Sequence, residues 1–344
     1  MTPPVASLRE NLVGLFPGYF ALVMATGILS ISAHLLGLDA VARALLALAA
    51  LFYVALGTLT IARIALYPRR VLEDLVSHAR GPGFFTMVAG TCVLGSDLLL
   101  VAGAARAATA LLAVGAVLWV GIIYTFVTAV TIREEKPSLE AGINGAWLLA
   151  IVATQSVAVL ATLLAPAAGG EQSIMLFACL CLYLLGCMLY VSIITLIFFR
   201  FTFVRLPIEA MTPPYWINMG AVAITALAGS TLMLHSGKWD FLRQLLPFLQ
   251  GFTLFFWAVG TWWIPLLLIL GVWRHGYRRF PLRYDPQYWG MVFPLGMYTA
   301  CTYQLGAATG LGFLMAVPSF FFWIALAAWG VTLAGMALHI TRGH

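Results

Sequence analysis

Charged side chains are scarce in this sequence. Only 9% of its 344 residues are Asp, Glu, Lys or Arg, and 62% are hydrophobic. Average soluble domains carry roughly 25% charged residues. A single water-soluble core cannot absorb that much apolar surface. Disorder is excluded as well, because it needs low hydrophobicity and high net charge. No polar segment is long enough to hold a water-soluble domain. What remains is a polytopic helical membrane protein, one transmembrane domain over residues 1–344. Cysteines are few, and Cys92, Cys179, Cys181, Cys187 and Cys301 make no C-x-x-C pair. All fall in apolar stretches, so they read as small buried hydrophobes, not as a disulfide framework. The H-E-x-x-H zinc motif, the G-x-S-x-G elbow and the Walker A loop are missing, and the chain is not read as an enzyme. The apolar run after Arg9 and Glu10 exceeds a signal-peptide core, and no A-x-A-like site closes it. It is read as a retained first helix.

Long apolar runs are what the sequence has in quantity. Bounded by charges or turn residues, they give ten spans, at about 13–36, 41–66, 83–103, 107–132, 143–165, 173–200, 214–235, 245–273, 287–309 and 314–341. A spanning helix needs about 20 apolar residues. The runs are continuous, not alternating over about ten residues, so a strand barrel is not supported. The net charge of +6 is no nucleic-acid signal, because the basic residues sit in short loops. Only Arg43, Arg106, Lys238 and Arg243 fall on one side of the ten-span topology; the other fourteen of the eighteen Lys and Arg fall on the opposite side. That bias places both termini in the cytoplasm of a bacterial-type inner (plasma) membrane and the connection near Gly310 outside. It also demands an even number of spans.

An internal repeat marks the odd spans. The first, third, seventh and ninth open with proline, any residue, then two aromatics: Pro17-Gly-Tyr-Phe20, Pro82-Gly-Phe-Phe85, Pro213-Pro-Tyr-Trp216 and Pro286-Gln-Tyr-Trp289. Asn144-Gly-Ala-Trp147 opens the fifth as a degenerate copy. The starts lie 65, 62, 69 and 73 residues apart, room for one helical hairpin each. Proline suits a helix start, where its missing N–H costs nothing, and paired aromatics suit the membrane interface. Small residues follow each copy and allow close helix approach. Ion pathways commonly lie where repeats meet, so the five copies suggest odd helices around an axis. The even spans, rich in Leu and Ala, fit an outer ring against lipid or neighbouring subunits.

Ionisable groups deep in a span would be functional candidates, and they are nearly absent. Asp97 reads as interfacial or helix-capping, and Arg63 as a snorkelling side chain. Glu140 and Glu209 precede helices, where acids are favoured. An intramembrane haem protein would need two facing histidines at similar depth, which only His34 and His235 offer; no cofactor and no metal are expected. The odd spans carry neutral polarity instead, including Thr26, Ser30, Thr86, Thr91, Asn144, Thr154, Gln155, Ser156, Asn218, Thr225, Ser230, Thr299, Thr302 and Gln304. Such groups can solvate an ion weakly enough to let it leave, or simply hydrogen-bond helix to helix. Seven residues past each repeat start stand Met24, Ala89, Ile151, Gly220 and Phe293. Phe293 is the only aromatic of the five, and Pro294 beside it removes a helical hydrogen bond. The residues alone allow two readings, a plug on an axis or a core phenylalanine next to a packing kink.

Taken together, Phe16-Pro-Gly-Tyr-Phe20, Phe84-Phe-Thr-Met-Val-Ala-Gly90, Asn144-Gly-Ala-Trp147, Pro213-Pro-Tyr-Trp-Ile-Asn-Met219 and Phe293-Pro-Leu-Gly-Met297 resemble the tellurite-resistance/dicarboxylate transporter family. That family includes a bacterial tellurite-resistance anion channel, the plant slow anion channels, the fungal malate transporter and the fungal sulfite exporter. The resemblance covers nearly the whole chain. It implies ten helices as five hairpins, odd helices lining a pore and even helices outside, in a homotrimer with one pore per subunit. It also implies a phenylalanine on the ninth helix that occludes the pore; Phe293 matches that position, with Pro294 as the pore kink and Met24, Ala89, Ile151, Gly220 and Met297 as pore-lining candidates. The function so implied is a channel for small anions of the chloride and nitrate class. The alternative is a coupled carrier or exporter of four-carbon dicarboxylates or sulfite. A dianion at hydrocarbon depth should recruit Arg or Lys, and none stands at mid-span, which tilts the reading toward the channel. Expected partners are small anions, membrane lipid and two further copies of the chain, with no nucleic acid.

Overall fold

A computed structural model describes residues 8–342; the terminal His344 lies outside them. Among the described residues there is no strand. Ten long helices carry the chain: α1 (Ala21–Leu35), α2 (Asp39–Leu66), α3 (Phe85–Ala102), α4 (Ala105–Ile132), α5 (Leu149–Leu164), α6 (Gln172–Phe203), α7 (Ile217–Leu234), α8 (Leu246–Val272), α9 (Trp289–Thr309) and α10 (Ala316–Arg342). Nine of the ten, counted with their flanking turns, are long and apolar enough to cross a membrane. The exception is α9, where Pro294, Thr299, Thr302, Tyr303 and Gln304 dilute the apolar run.

Each repeat copy folds as a single 3₁₀ turn leading into its helix. The turns are Pro17–Phe20, Gly81–Phe84, Gly145–Leu148, Pro213–Trp216 and Pro286–Tyr288. Four of them place a proline in the first two positions, where a missing donor is harmless. The third copy has none. There the Asn144 side chain caps the turn, accepting from the Ala146 N–H at 2.8 Å, which is a standard asparagine role. Asn144 therefore stands before the turn, and Gly145 occupies the place that proline holds in other copies. Successive turns touch, and the fifth touches the first.

The odd helices make the same circuit: α1 packs on α3, α3 on α5, α5 on α7, α7 on α9, and α9 back on α1. Each even helix packs on the odd helix before it and on the one after it, with α10 reaching α1. Burial follows that order. In the most apolar window of α1, α3, α5 and α7, 72% to 94% of residues are buried, against 17% to 39% for the even helices. Apolar surface facing outward on α4 and α10, such as Val117 and Val331, suits lipid. Without a hydrophobic drive between helices in lipid, close backbone approach carries the packing. A Cβ on Gly220 would meet Pro294 Cγ at 2.6 Å, and one on Gly296 would meet Ile28 Cγ2 at 2.8 Å.

Three even helices end in a common device. Arg63 donates to the Val13 carbonyl at 2.9 Å, Arg200 to the Ile143 carbonyl at 2.5 Å, and Arg274 to the Met211 carbonyl. Each carbonyl lies just ahead of a starting turn. Arg63 also pairs with Asp74 at 2.6 Å. It is 4% exposed, so it does not snorkel: a carbonyl 50 residues away in sequence and a carboxylate hold it in place of water. Among the cysteines, Cys92, Cys179, Cys187 and Cys301 are buried as expected, but Cys181 is exposed. It sits on the outer face of α6, where a thiol meets lipid as easily as an alkyl group.

Candidate functional site

Two cavities lie within the circuit of odd helices, and both draw on all five. The first has a volume of about 120 Å³ and sits among the starting turns. One level of its wall is Gly18, Gly83, Ala146, Pro214 and Gln287; the next is Ala21, Thr86, Leu149, Ile217 and Gly290. The second is about 20 Å³, bounded by Ile28, Val93, Ser156, Ile224 and Met297, and beyond them by Ile31, Ser96, Val159 and Leu227. Along α9 the walls contribute Gly290 and Met297. Phe293 falls three residues after the first and four before the second, so all three share one helix face. The two levels are separated by about 10 Å at 1.5 Å rise per residue.

Phe293 is 1% exposed and borders neither cavity. Met24, Ala89 and Gly220 occupy the corresponding register and are equally buried. On the fifth span the cavity walls run through Ala146, Leu149, Ser156 and Val159, the positions counted from Gly145. That count puts Val152, not Ile151, level with Phe293, and both are fully buried. Met297 does border the second cavity. Gly220 faces Pro294, so its small size is also what lets α7 approach α9 there.

Most of the neutral polar groups border neither cavity, and several tie inner helices to outer ones. The indole N–H of Trp329 on α10 donates to Thr26 at 3.0 Å, that of Trp119 on α4 to Thr154 at 2.9 Å, and that of Trp257 on α8 to Thr302 at 2.9 Å. Tyr53 on α2 meets Thr91 at 3.1 Å. Gln155 donates to the Tyr183 carbonyl and to Thr225. Thr26, Thr91 and Thr154 stand nine residues into their copies when the third is counted from Gly145, so the first three copies share an aromatic-to-threonine tie between outer and inner helices. Of the polar candidates, Thr86 and Asn144 border the first cavity and Ser156 the second; Ser96, not singled out from sequence, joins Ser156. No side chain on either wall is charged.

Asp97 departs from expectation. It is fully buried, five residues before the end of α3, and Ser30 donates to its Oδ1 at 2.7 Å. It caps no helix; it ties α3 to α1. At the arginine-rich end, His78 precedes the third span. Burial, then the charges of Arg133 and Lys136, hold its imidazole below the usual value. The unfolded chain then takes up the proton first, so this group's stabilising contribution is present above pH about 6.5 and is lost as pH falls toward the folded value. His78→Gln is expected to flatten the acid limb of a melting-temperature profile between pH 8 and 5. An unchanged limb would remove His78 from that account.

Among the described residues no group of His, Cys, Asp or Glu is placed to hold a metal. The bundle defines an integral membrane protein with small uncharged cavities between its inner helices. The chain belongs to the SLAC1 family, described as voltage-dependent anion channels, whose model matches residues 15–337. That is the family whose motifs the odd spans carry. The chain is 39% identical over 153 residues to an uncharacterized membrane protein of Mycobacterium tuberculosis, covering 44% of this chain and 77% of that one. It is 24% identical over 331 residues to an uncharacterized transporter of Methanocaldococcus jannaschii, covering 92% of both. It is 24% identical over 343 residues to the sulfite efflux pump SSU1 of Arthroderma otae, covering 92% and 88%.

Proposed function

We propose that this protein passes small anions of the chloride and nitrate class through a pore enclosed by α1, α3, α5, α7 and α9, and that the Phe293 ring closes it. The observation that carries this reading is the pair of uncharged cavities on one face of α9 with Phe293 between them. Neutral walls suit conduction, which needs sites weak enough for the ion to leave. In this reading ten helices form five hairpins, Pro294 loosens the ladder beside the gate, and the even helices face lipid or sister subunits. Sulfite export is the second reading, favoured by the fungal relatives' printed role; coupled malate transport belongs with it as the dicarboxylate form of a carrier. Both cargoes reach charge −2, and a dianion would call for a fixed cation that neither wall supplies.

Anion flux into liposomes under clamped gradients separates the two, comparing chloride, nitrate, sulfite and malate. Chloride and nitrate flux dissipating with the gradient supports the channel. Uptake of sulfite or malate alone, driven against its gradient by a second ion, sinks it. With both termini cytoplasmic, a cysteine in place of Gly312, in the connection between α9 and α10, should react with impermeant reagents only from outside; reaction from the cytoplasmic side alone would break the ten-span topology. The proposed assembly is a homotrimer joined through even helices. A native mass spectrum showing only monomer would count against it.

A further inference from the structure

A third cavity, of about 170 Å³, lies away from the circuit of inner helices, at the arginine-rich end between α7, α8 and α9. One side is apolar, with Leu267, Leu270 and Leu282. The other carries Arg274, His275 and Tyr288, and no acidic residue borders it. Arg274 is held in place by its bond to the Met211 carbonyl and by the Phe280 ring, whose centroid lies 4.3 Å from its guanidinium carbon. Its Nε, like those of Arg63 and Arg200, is buried and has no hydrogen-bond partner. A buried charged donor without an acceptor is costly and calls for an explanation.

The backbone here is also irregular. Helix α8 runs into a π-helical turn, Trp273–Tyr277, a feature frequent at functional sites. Arg279 is the one non-glycine residue with positive φ among those described, at 52°, a strained conformation that surrounding structure must hold. The same segment of the chain also carries Arg278, Arg279 and Arg283. Outward from it, Ile269, Val272 and Leu282 are exposed apolar side chains. Of the carboxylates close in sequence to the lining, Asp285 is committed to the Gln287 N–H at 2.8 Å, and Glu209 stands two residues before Met211.

We infer that this cavity binds the headgroup of an anionic phospholipid from the arginine-rich leaflet, its phosphate on Arg274 and Tyr288 and its upper chain along Leu267, Leu270 and Leu282. The charge and the shape both call for an amphiphile. Basic pockets between membrane helices on the cytoplasmic side take such lipids, and a basic side chain near an anionic surface contributes about fivefold in affinity. A free anion would use the arginine and leave the apolar wall against water. The site lies outside the proposed pore and does not rest on the channel reading.

The test is lipid titration of the purified protein by native mass spectrometry, with melting temperature read in parallel. Phosphatidylglycerol, phosphatidylcholine and inorganic phosphate are the probes. One phosphatidylglycerol per subunit should be retained, at least fivefold more tightly than phosphatidylcholine, and inorganic phosphate should shift nothing. Arg274→Gln should weaken retention about fivefold or more. Because Arg274 also braces Met211, Leu270→Trp provides an independent variant that fills the apolar side and leaves the arginine. It should lose phosphatidylglycerol while melting near wild type. Equal binding of the two lipids by the wild type overturns the proposal without any variant. So does stabilisation by inorganic phosphate equal to that by phosphatidylglycerol, which marks a free-anion site. Full retention by folded Leu270→Trp, or a subunit contact that covers the cavity, overturns it as well.

Discussion

Phe293→Ala should raise chloride and nitrate flux well above the wild-type level while leaving the fold intact. The ring lies between two cavities on one face of α9. Its counterparts in register, Met24, Ala89, Val152 and Gly220, include no aromatic that could fill the gap. Removing a phenylalanine from an ordinary core costs roughly 3–5 kcal/mol. If the ring plugs an axis running between the two cavities, it packs on fewer atoms than an ordinary core ring and its loss should cost less. The two roles of the ring then separate cleanly. As a gate, its truncation raises flux with a small fall in melting temperature; as core, it lowers melting temperature with flux at background. Phe293→Leu fills part of the same volume and should give intermediate flux. Equal background flux in wild type and both variants, for both anions, would end the gate reading.

The second large effect is expected at Gly145. A Cβ there would sit 2.6 Å from the Pro214 carbonyl carbon and 2.7 Å from Tyr215 Cα. These are backbone atoms of the next starting turn and cannot swing aside as a side-chain tip can. Arg200 pins the same junction, donating to the Ile143 carbonyl and to the Tyr215 hydroxyl at 2.5 Å each. Overpacking typically costs about 1–3 kcal/mol, occasionally more, and a site bounded by pinned backbone belongs at the upper end. Gly145→Ala should therefore lower the melting temperature in detergent markedly. Gly121→Ala, whose Cβ would meet nothing within 4 Å, is the control and should melt like wild type. If the two variants melt alike, the turn-to-turn contact does not matter as argued.

The repeat that places Gly145 was legible in the sequence, yet its register on the fifth span was not. Proline marks the start of four copies. Without it, Asn144 looks like the first residue, although it acts as the cap before the turn. A one-residue shift rotates a helix by about 100°, which exchanges Ile151 for Val152 at the level of Phe293. The hydroxyls show a different limit. Thr26, Thr91 and Thr154 stand in polar stripes of buried helices, and a stripe does not say which neighbour it meets. Trp119, Trp257 and Trp329 were the available signal: an indole away from the membrane interface needs a partner for its N–H.

By itself the sequence determined the membrane class, the helical spans, the fivefold repeat and the contrast between buried odd helices and apolar even ones. Lipid imposes these locally, because every spanning backbone must satisfy its own hydrogen bonds and every lipid-facing side chain must be apolar. Only the tertiary structure decided where the few polar groups go. Arg63, Arg200 and Arg274 became braces on distant carbonyls, Asp97 became a tie between α3 and α1, and Cys181 turned outward. Each of these outcomes depends on which helix stands beside which, and at what rotation. Residues like Ser30 and Asp97, 67 positions apart, meet only once α1 and α3 have packed.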